Sequence, residues 1–258
     1  MEFFSKKLLC KKNFVPEPEY TFKVVTNPTS ASCTITYEGV EYTTKSLKVK
    51  AGSVISYSIY HSTYGTTTGS VTMSKDRTLT CTGVKTTKTE DVAWSQPTLN
   101  ANGTVGGSKF AVVSNGELSA NFKAFQAFDN KPSTFWLSTA FLPKYIIFYC
   151  PTALRVSNLK IYNDDKASIH LTYVKDYTIY ASNNNSSWTT LKTGTNTNYT
   201  IGGTWNIPIN TGSYYKYYKI NVVTCKTSGG PYANIAECKI TATYQKTTTT
   251  YSWNKSLS

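Results

Sequence analysis

The sequence predicts an all-β protein built as two successive sandwiches, and three observations carry that expectation. From Tyr20 to Cys81, apolar residues recur at every second position in short runs separated by turn residues. The composition disfavours helices. Tyr contributes 20 residues, 14% of the chain is aromatic and only 16% is charged, while Thr, Ser and Asn fill the intervals where helix formers would stand. Finally, a polar stretch without periodicity, 84–92, parts this first set of runs from a longer second one. A chain of 258 residues has room for two cores of this kind.

Residues 1–19 end in Val15-Pro-Glu-Pro-Glu19, a stiff and extended linker. Ahead of it Phe3, Phe4, Leu8 and Leu9 stand among lysines, which reads either as a frayed terminus or as an anchoring arm that orders on a larger assembly. Lys6 and Lys7 break the apolar run, so the segment lacks the form of a secretion signal. The expectation is a protein that stays in the cytoplasm or leaves it inside an assembled particle. Residues 20–85 hold six short strands around Phe22, Ile35, Val49, Tyr57, Val71 and Leu79, predicting a compact antiparallel sandwich. A linker is expected at 86–92. The second domain, 93–246, carries β runs at 145–149, 159–162, 177–181, 214–223 and 235–244, and Tyr145-Ile-Ile-Phe-Tyr149 is apolar on both faces, as a central buried strand would be. The tail 247–258 is of low complexity and either adds an edge strand or stays loose.

Several function classes are disfavoured. The net charge of +13 invites a nucleic-acid reading, but the charge is spread along the chain and Arg77 and Arg155 are the only arginines. A phosphate or base reader would favour the bidentate guanidinium. No window is apolar enough to insert in a membrane. The six cysteines have no CxxC spacing and His61 and His170 are the only histidines, which argues against zinc. A Cys33–Cys81 or Cys225–Cys238 pairing is left open. Asp164 and Asp165 are adjacent, so on a strand they point apart and cannot flank a glycosidic bond. Neither histidine has a nucleophile motif beside it, and no phosphate loop is present. The protein is expected not to be an enzyme.

Two resemblances narrow the fold. Tyr37-Glu-Gly39, Val49-x-x-Gly52-x-x-Ile55-x-Tyr57 and Tyr64-x-x-x-x-Gly69-x-Val71 resemble the small immunoglobulin-like repeats of phage structural and bacterial surface proteins. Further on stand Ala124-Phe-Gln-Ala-Phe-Asp129-Asn-Lys-Pro-Ser-Thr134-Phe-Trp136, Tyr177-Thr-Ile-Tyr-Ala-Ser182-Asn-x-x-x-x-Trp188 and Tyr232-Ala-Asn-Ile-Ala-Glu237-Cys-Lys-Ile240. In this order and spacing they are similar to the discoidin, or coagulation-factor C-terminal, family, which implies a galactose-binding-like jelly-roll β-sandwich over about 93–246. Asn130-Lys131 replaces the family's Gly-Asn, and Asn183–Ser187 replaces its Asp-Gly turn with about one extra residue. Asn tolerates the left-handed conformation these loops need.

The resemblance implies a structural Ca²⁺ site. An Asp followed by Pro and Thr within five residues can wrap oxygens around a hard cation. By motif the ligands would be the Asp129 and Glu237 carboxylates, the carbonyls of Gln126 and Lys131, and Thr134. The alternative is that Asp129 and Thr134 cap a turn and Glu237 pairs with a lysine. Family ligand contacts come from loops at one end of the sandwich, here 138–141, 162–166 and 228–234. Tyr232 is the stacking candidate, with Asn163, Asp164 and Lys166 as hydrogen-bonding candidates. Trp136 and Trp188 are expected in the core, whereas Trp94, Trp205 and Trp253 fall outside the motifs and are open to exposure. The expected whole is a multicopy or homo-oligomeric virion appendage, docked by its N-terminal arm and adhering to host-surface or mucosal glycans. The alternatives are a purely structural virion component and a bacterial cell-surface adhesin module.

Overall fold

The structure, a computed structural model, describes residues 15–165, 172–227 and 232–258. The apolar head around Phe3, Phe4, Leu8 and Leu9, the candidate Lys166 and the loop residues 228–231 lie outside them. Among the described residues the regular structure is strand apart from one 3-10 turn, and the chain divides into two compact units. One takes the chain up to Lys88 together with Thr248–Ser258, and the other is Thr89–Thr247.

In the first unit β1 (Glu19–Asn27) pairs with β4 (Ser46–Lys50) and β7 (Arg77–Ala93). A second sheet orders β3 (Val40–Tyr42), β2 (Ser32–Tyr37), β5 (Val54–His61) and β6 (Gly65–Thr72). The alternating residues of both sheets, among them Phe22, Val24, Ile35, Ile55, Ile59 and Leu79, meet in one core. Two details differ from the sequence reading. The sandwich is not wholly antiparallel: β7 lies parallel to β1, because the chain returns to its first strand only after the second sheet is complete. A seventh strand, β3, is also present. Glu38 and Gly39 both take left-handed backbone conformations (φ 49° and 77°), and this tight turn folds Val40 back opposite Tyr37.

Close packing in this unit leaves no room for a side chain at Gly69. A Cβ on Gly69 would fall 2.3 Å from the hydroxyl of its cross-strand partner Tyr57, whose ring is buried and packs on Phe22 at 6.1 Å. Gly69→Ala is therefore expected to cost about 1–3 kcal/mol through overpacking, read as a lowered thermal midpoint. Tyr57→Leu in the same chain should recover part of the loss.

Strands β7 and β18 (Glu237–Leu257) are hydrogen-bonded neighbours, and each belongs partly to both units. The expected linker at 86–92 is thus the second half of a strand, and the expected tail at 247–258 is its partner. Both segments are exposed on both faces, so neither carries the hydrophobic period by which a strand is recognised. Within the first unit the end of β18 is held by paired backbone bonds between Ser258 and Thr78, both at 3.0 Å. Trp253 adds to this by donating from Nε1 to the Gly65 carbonyl at 3.1 Å and packing on Tyr64 at 5.3 Å.

The second unit contains β8 (Ala111–Ser114), a 3-10 turn at Ala124–Phe128, β9 (Trp136–Leu137), β10 (Lys144–Tyr162), β11 (Thr172–Val174), β12 (Asp176–Ser182), β13 (Thr189–Thr195), β14 (Thr204–Pro208), β15 (Tyr215–Val222), β16 (Cys225–Thr227) and β17 (Asn234–Ile235). Strand β10 organises it. Its first half lies between β15 and β8, and its second half between β14 and β18, with the register broken between Tyr149 and Leu154. Pro151 sits in that break, where a residue without an N–H is tolerated. Tyr218 fastens the bend: its buried hydroxyl donates to Leu154 O at 2.7 Å and accepts from Val156 N at 3.3 Å. The runs 145–149 and 159–162 are therefore one strand serving both layers of a jelly-roll sandwich. As expected of a central strand, Ile146, Ile147, Phe148 and Tyr149 are all buried.

Candidate functional site

Two arrangements in the second unit concentrate polar chemistry. The first joins the loop after the 3-10 turn to the start of β18. Asp129 Oδ1 accepts from the Lys131 amide at 2.9 Å and Oδ2 accepts from the Thr134 hydroxyl at 2.7 Å. Thr134 also closes on the Lys131 carbonyl, through its amide at 3.0 Å and its hydroxyl at 2.9 Å. Asn130 takes the left-handed conformation (φ 60°) that this turn requires, so Asn serves where the resembling family uses Gly. Gln126 contributes by its side chain, which accepts from the Lys123 amide at 2.6 Å.

Glu237 faces this turn with 0% exposure, and neither carboxylate oxygen has a hydrogen-bond partner among the described residues. Lys239 reaches Oε1 only at 3.6 Å and also donates to Asn130 Oδ1. Burial pushes the Glu237 carboxyl up to about 7; Lys239 and the amides of Asn130 and Lys131 oppose the rise and the Asp129 charge adds to it. Among the described residues no three His, Cys, Asp or Glu side chains converge. What converges is two carboxylates with carbonyl and hydroxyl oxygens, the hard donor set that calcium accepts. A fully buried carboxylate with only a long ion pair, beside a second carboxylate, is costly alone and is relieved by a divalent cation. The residues therefore fit the ion.

The second arrangement is a loop cluster at the end of β9, β10 and β17. Ser138 and Ala233 clasp each other, through Ser138 N to Ala233 O at 2.9 Å and Ala233 N to Ser138 Oγ at 2.8 Å. Asn234 donates to Asp164 Oδ2 at 3.5 Å, and Gly202 donates its amide to Asp164 O at 2.9 Å. Asn163 spends both amide hydrogens on the carbonyls of Asn198 and Thr200, at 3.1 and 3.0 Å. Asn163 and Asp164 are 5% and 3% exposed, so these two candidates brace the loops from inside and do not line a surface. The buried Tyr173 phenol lies close enough to be pushed up by burial and by the Asp164 charge.

Tyr232 is only half exposed and packs with Phe122 and Tyr162 against Phe135, Leu137 and Ala236. The aromatic that projects is Phe141, 82% exposed and held at φ 71°. The sequence pointed to 138–141 as a segment without singling out this ring; a Phe amid polar loop residues was the available signal. A bulky residue with positive φ is strained, and such strain gathers at functional positions.

Of the two tryptophans expected in the core, Trp136 is there and Trp188 is not. Trp136 is fully buried, with Nε1 donating to Gly116 O at 2.9 Å. Trp188, expected beside it in the core, instead lies on the outer face against Lys219 at 4.1 Å. Trp205, outside the motifs, is buried and packs on Tyr177 at 5.2 Å, and Trp94 packs on Phe110 at 5.4 Å. For Trp188 the cause is register. The β12–β13 hairpin slips between Ile179 and Tyr180, and one residue of slip exchanges the faces of a strand.

The family model described as F5/8 type C domain matches residues 109–238. The chain belongs to this family. Among solved structures, CpGH89CBM32-5 from Clostridium perfringens, in complex with GalNAc-β-1,3-galactose, is 16% identical with a TM-score of 0.44, covering 51% of this chain and 94% of its own. The family 32 CBM of C. perfringens NanJ, in complex with galactose, is 21% identical with a TM-score of 0.42, covering 53% and 93%. CBM32-3 from a family 31 glycoside hydrolase of the same organism is 24% identical with a TM-score of 0.44, covering 54% and 92%. No curated protein matches the chain.

Proposed function

We propose that this F5/8 type C protein is a non-enzymatic glycan-binding display module. The observation that carries the reading is Phe141, an aromatic ring held out in a strained loop whose base is clasped to Ala233. An apolar ring face beside loops braced by buried amides and a carboxylate suits the C–H face and the hydroxyls of a sugar. Solved structures of similar fold carry galactose and GalNAc-β-1,3-galactose, and these are the first ligands to try. A glycan array on the full chain followed by titration tests the reading. Phe141→Gly removes the ring and relieves the positive φ, so binding should weaken by at least about tenfold while the melting temperature stays unchanged. Silence across the array, or a Phe141→Gly protein that binds as wild type does, would overturn it.

We further propose that Asp129, Glu237, Thr134 and the carbonyls of Gln126 and Lys131 hold a structural calcium ion. It would neutralise the facing carboxylates and fix the loop that leads into β9. The setting we propose is a virion surface, where many copies turn weak single-site binding into avidity; the sequence of the N-terminal arm is what supports it. Labelling purified particles and cell envelopes with an antibody to the protein separates that setting from a bacterial surface.

A further inference from the structure

The outer face of the sheet containing β10, β15 and β12 carries an aromatic group that the loop cluster does not use. Cross-strand register places Tyr145 on β10, Lys219 on β15 and Tyr180 on β12 on one face, since Tyr180 pairs with Lys219, and Tyr145 pairs with Asn221, two residues beyond it. Trp188 closes the group from the β12–β13 turn. The Lys219 ammonium lies 4.1 Å from the Trp188 ring centre, 5.1 Å from that of Tyr180 and 5.3 Å from that of Tyr145. No carboxylate among the described residues is within ion-pairing distance of it. Partial burial holds the amine below the usual lysine range. Asn221 shares the face, and Tyr217 continues it next to Tyr149 at 4.7 Å.

Three π faces hold the ammonium in place without cancelling its charge, because they attract a cation by their quadrupoles and contribute no counter-ion. What the group lacks is an anion, and the rings beside it offer flat apolar faces of the kind that sugar rings stack against. We infer that this face is a second binding site, for an anionic carbohydrate whose carboxylate or sulfate pairs with Lys219 while its ring stacks on Trp188. The charge sets it apart from the neutral glycan assigned to the Phe141 loop. An acidic peptide would meet the same lysine but would gain little from the flat arrangement of rings.

The test is titration of the full chain with a hyaluronan hexasaccharide (carboxylate only), a chondroitin 4-sulfate hexasaccharide (carboxylate and sulfate), neutral chitohexaose, and a polyglutamate peptide. Wild type should bind one or both acidic sugars at least about tenfold more tightly than chitohexaose, and the binding should weaken with salt. The two acidic arms tell carboxylate from sulfate. Lys219→Met keeps the packing stem and should lose that preference, Lys219→Arg should retain most of it, and Trp188→Leu should weaken all sugars bound at this face. Phe141→Gly should leave acidic binding intact, which separates failure here from failure of the loop site. The inference is overturned if the acidic sugars bind no better than chitohexaose, if Lys219→Met binds them as wild type does, or if polyglutamate binds equally well through Lys219.

Discussion

Glu237→Gln is expected to stabilise the calcium-free protein at pH 8 and to abolish the stabilisation expected of calcium in the wild type. Glu237 has no exposure and no hydrogen-bond partner among the described residues, and its carboxyl is pushed up to about 7 from 4.5. For an acid whose folded value is raised, the sign is set. Below pH 4.5 the group is protonated in both states and costs nothing. As the pH rises to about 7 the folded state must either ionise a buried group or hold a proton the unfolded chain has released. Above that the penalty is complete, on the order of 3 kcal/mol, or about 5–10 °C in melting temperature for a unit of this size. The neutral amide removes it. Wild type and Glu237→Gln should therefore melt nearly together at pH 4 and diverge towards pH 8 in EDTA.

Calcium should reverse the order at pH 8 by supplying the missing charge to wild type alone. Its affinity should fall below pH 7, where binding must displace a proton. Asp129→Asn should lose the calcium response as well. The weak ion pair to half-exposed Lys239, 3.6 Å away, is too small to mask these effects. Identical pH profiles for the two proteins, with a wild-type midpoint indifferent to EDTA, would remove both the buried-charge argument and the ion.

Trp136→Ala should cost about 3–5 kcal/mol, the range for deleting a large buried aromatic; Gly116 O loses the indole donor but keeps the Ser114 hydroxyl at 3.2 Å. The side chain is fully buried and belongs to the main cluster of the second unit. Its strand, β9, pairs with β17 through Trp136–Ile235 and Leu137–Asn234, and the next residue, Ser138, makes the clasp to Ala233 that supports the Phe141 loop. Trp136→Phe should retain most of the stability yet loosen the clasp, so glycan affinity should drop by more than the melting temperature suggests. Thermal melts and titrations on both variants check this. A Trp136→Ala protein melting within a few degrees of wild type would contradict the packing described.

Alternation and turn chemistry made much of this molecule legible in advance. The period-two runs of the first unit and the doubly apolar Tyr145–Tyr149 run are local properties, and the strands appear where those patterns stand. Asn130 and Asn185 both adopt the left-handed conformation at turns where the resembling family uses Gly (φ 60° and 59°), because Asn tolerates that backbone better than most other residues. The three motifs led to the family.

What sequence alone determined, then, was the all-β class, the family and the composition of the loops. The tertiary structure decided which side each side chain faces and which strand pairs with which. Residues 86–92 and 247–257 became strands only because each completes the other's hydrogen-bond ladder, a long-range event without hydrophobic period. Trp188 came to the surface beside Lys219 by a one-residue slip in a hairpin. Asn163 and Asp164 turned inward because backbone groups of distant loops needed partners in the interior, and Phe141 was left projecting. The reason is common to all of these. A strand's period is local, but its register and the demand that every buried polar group be paired are properties of the assembled sandwich.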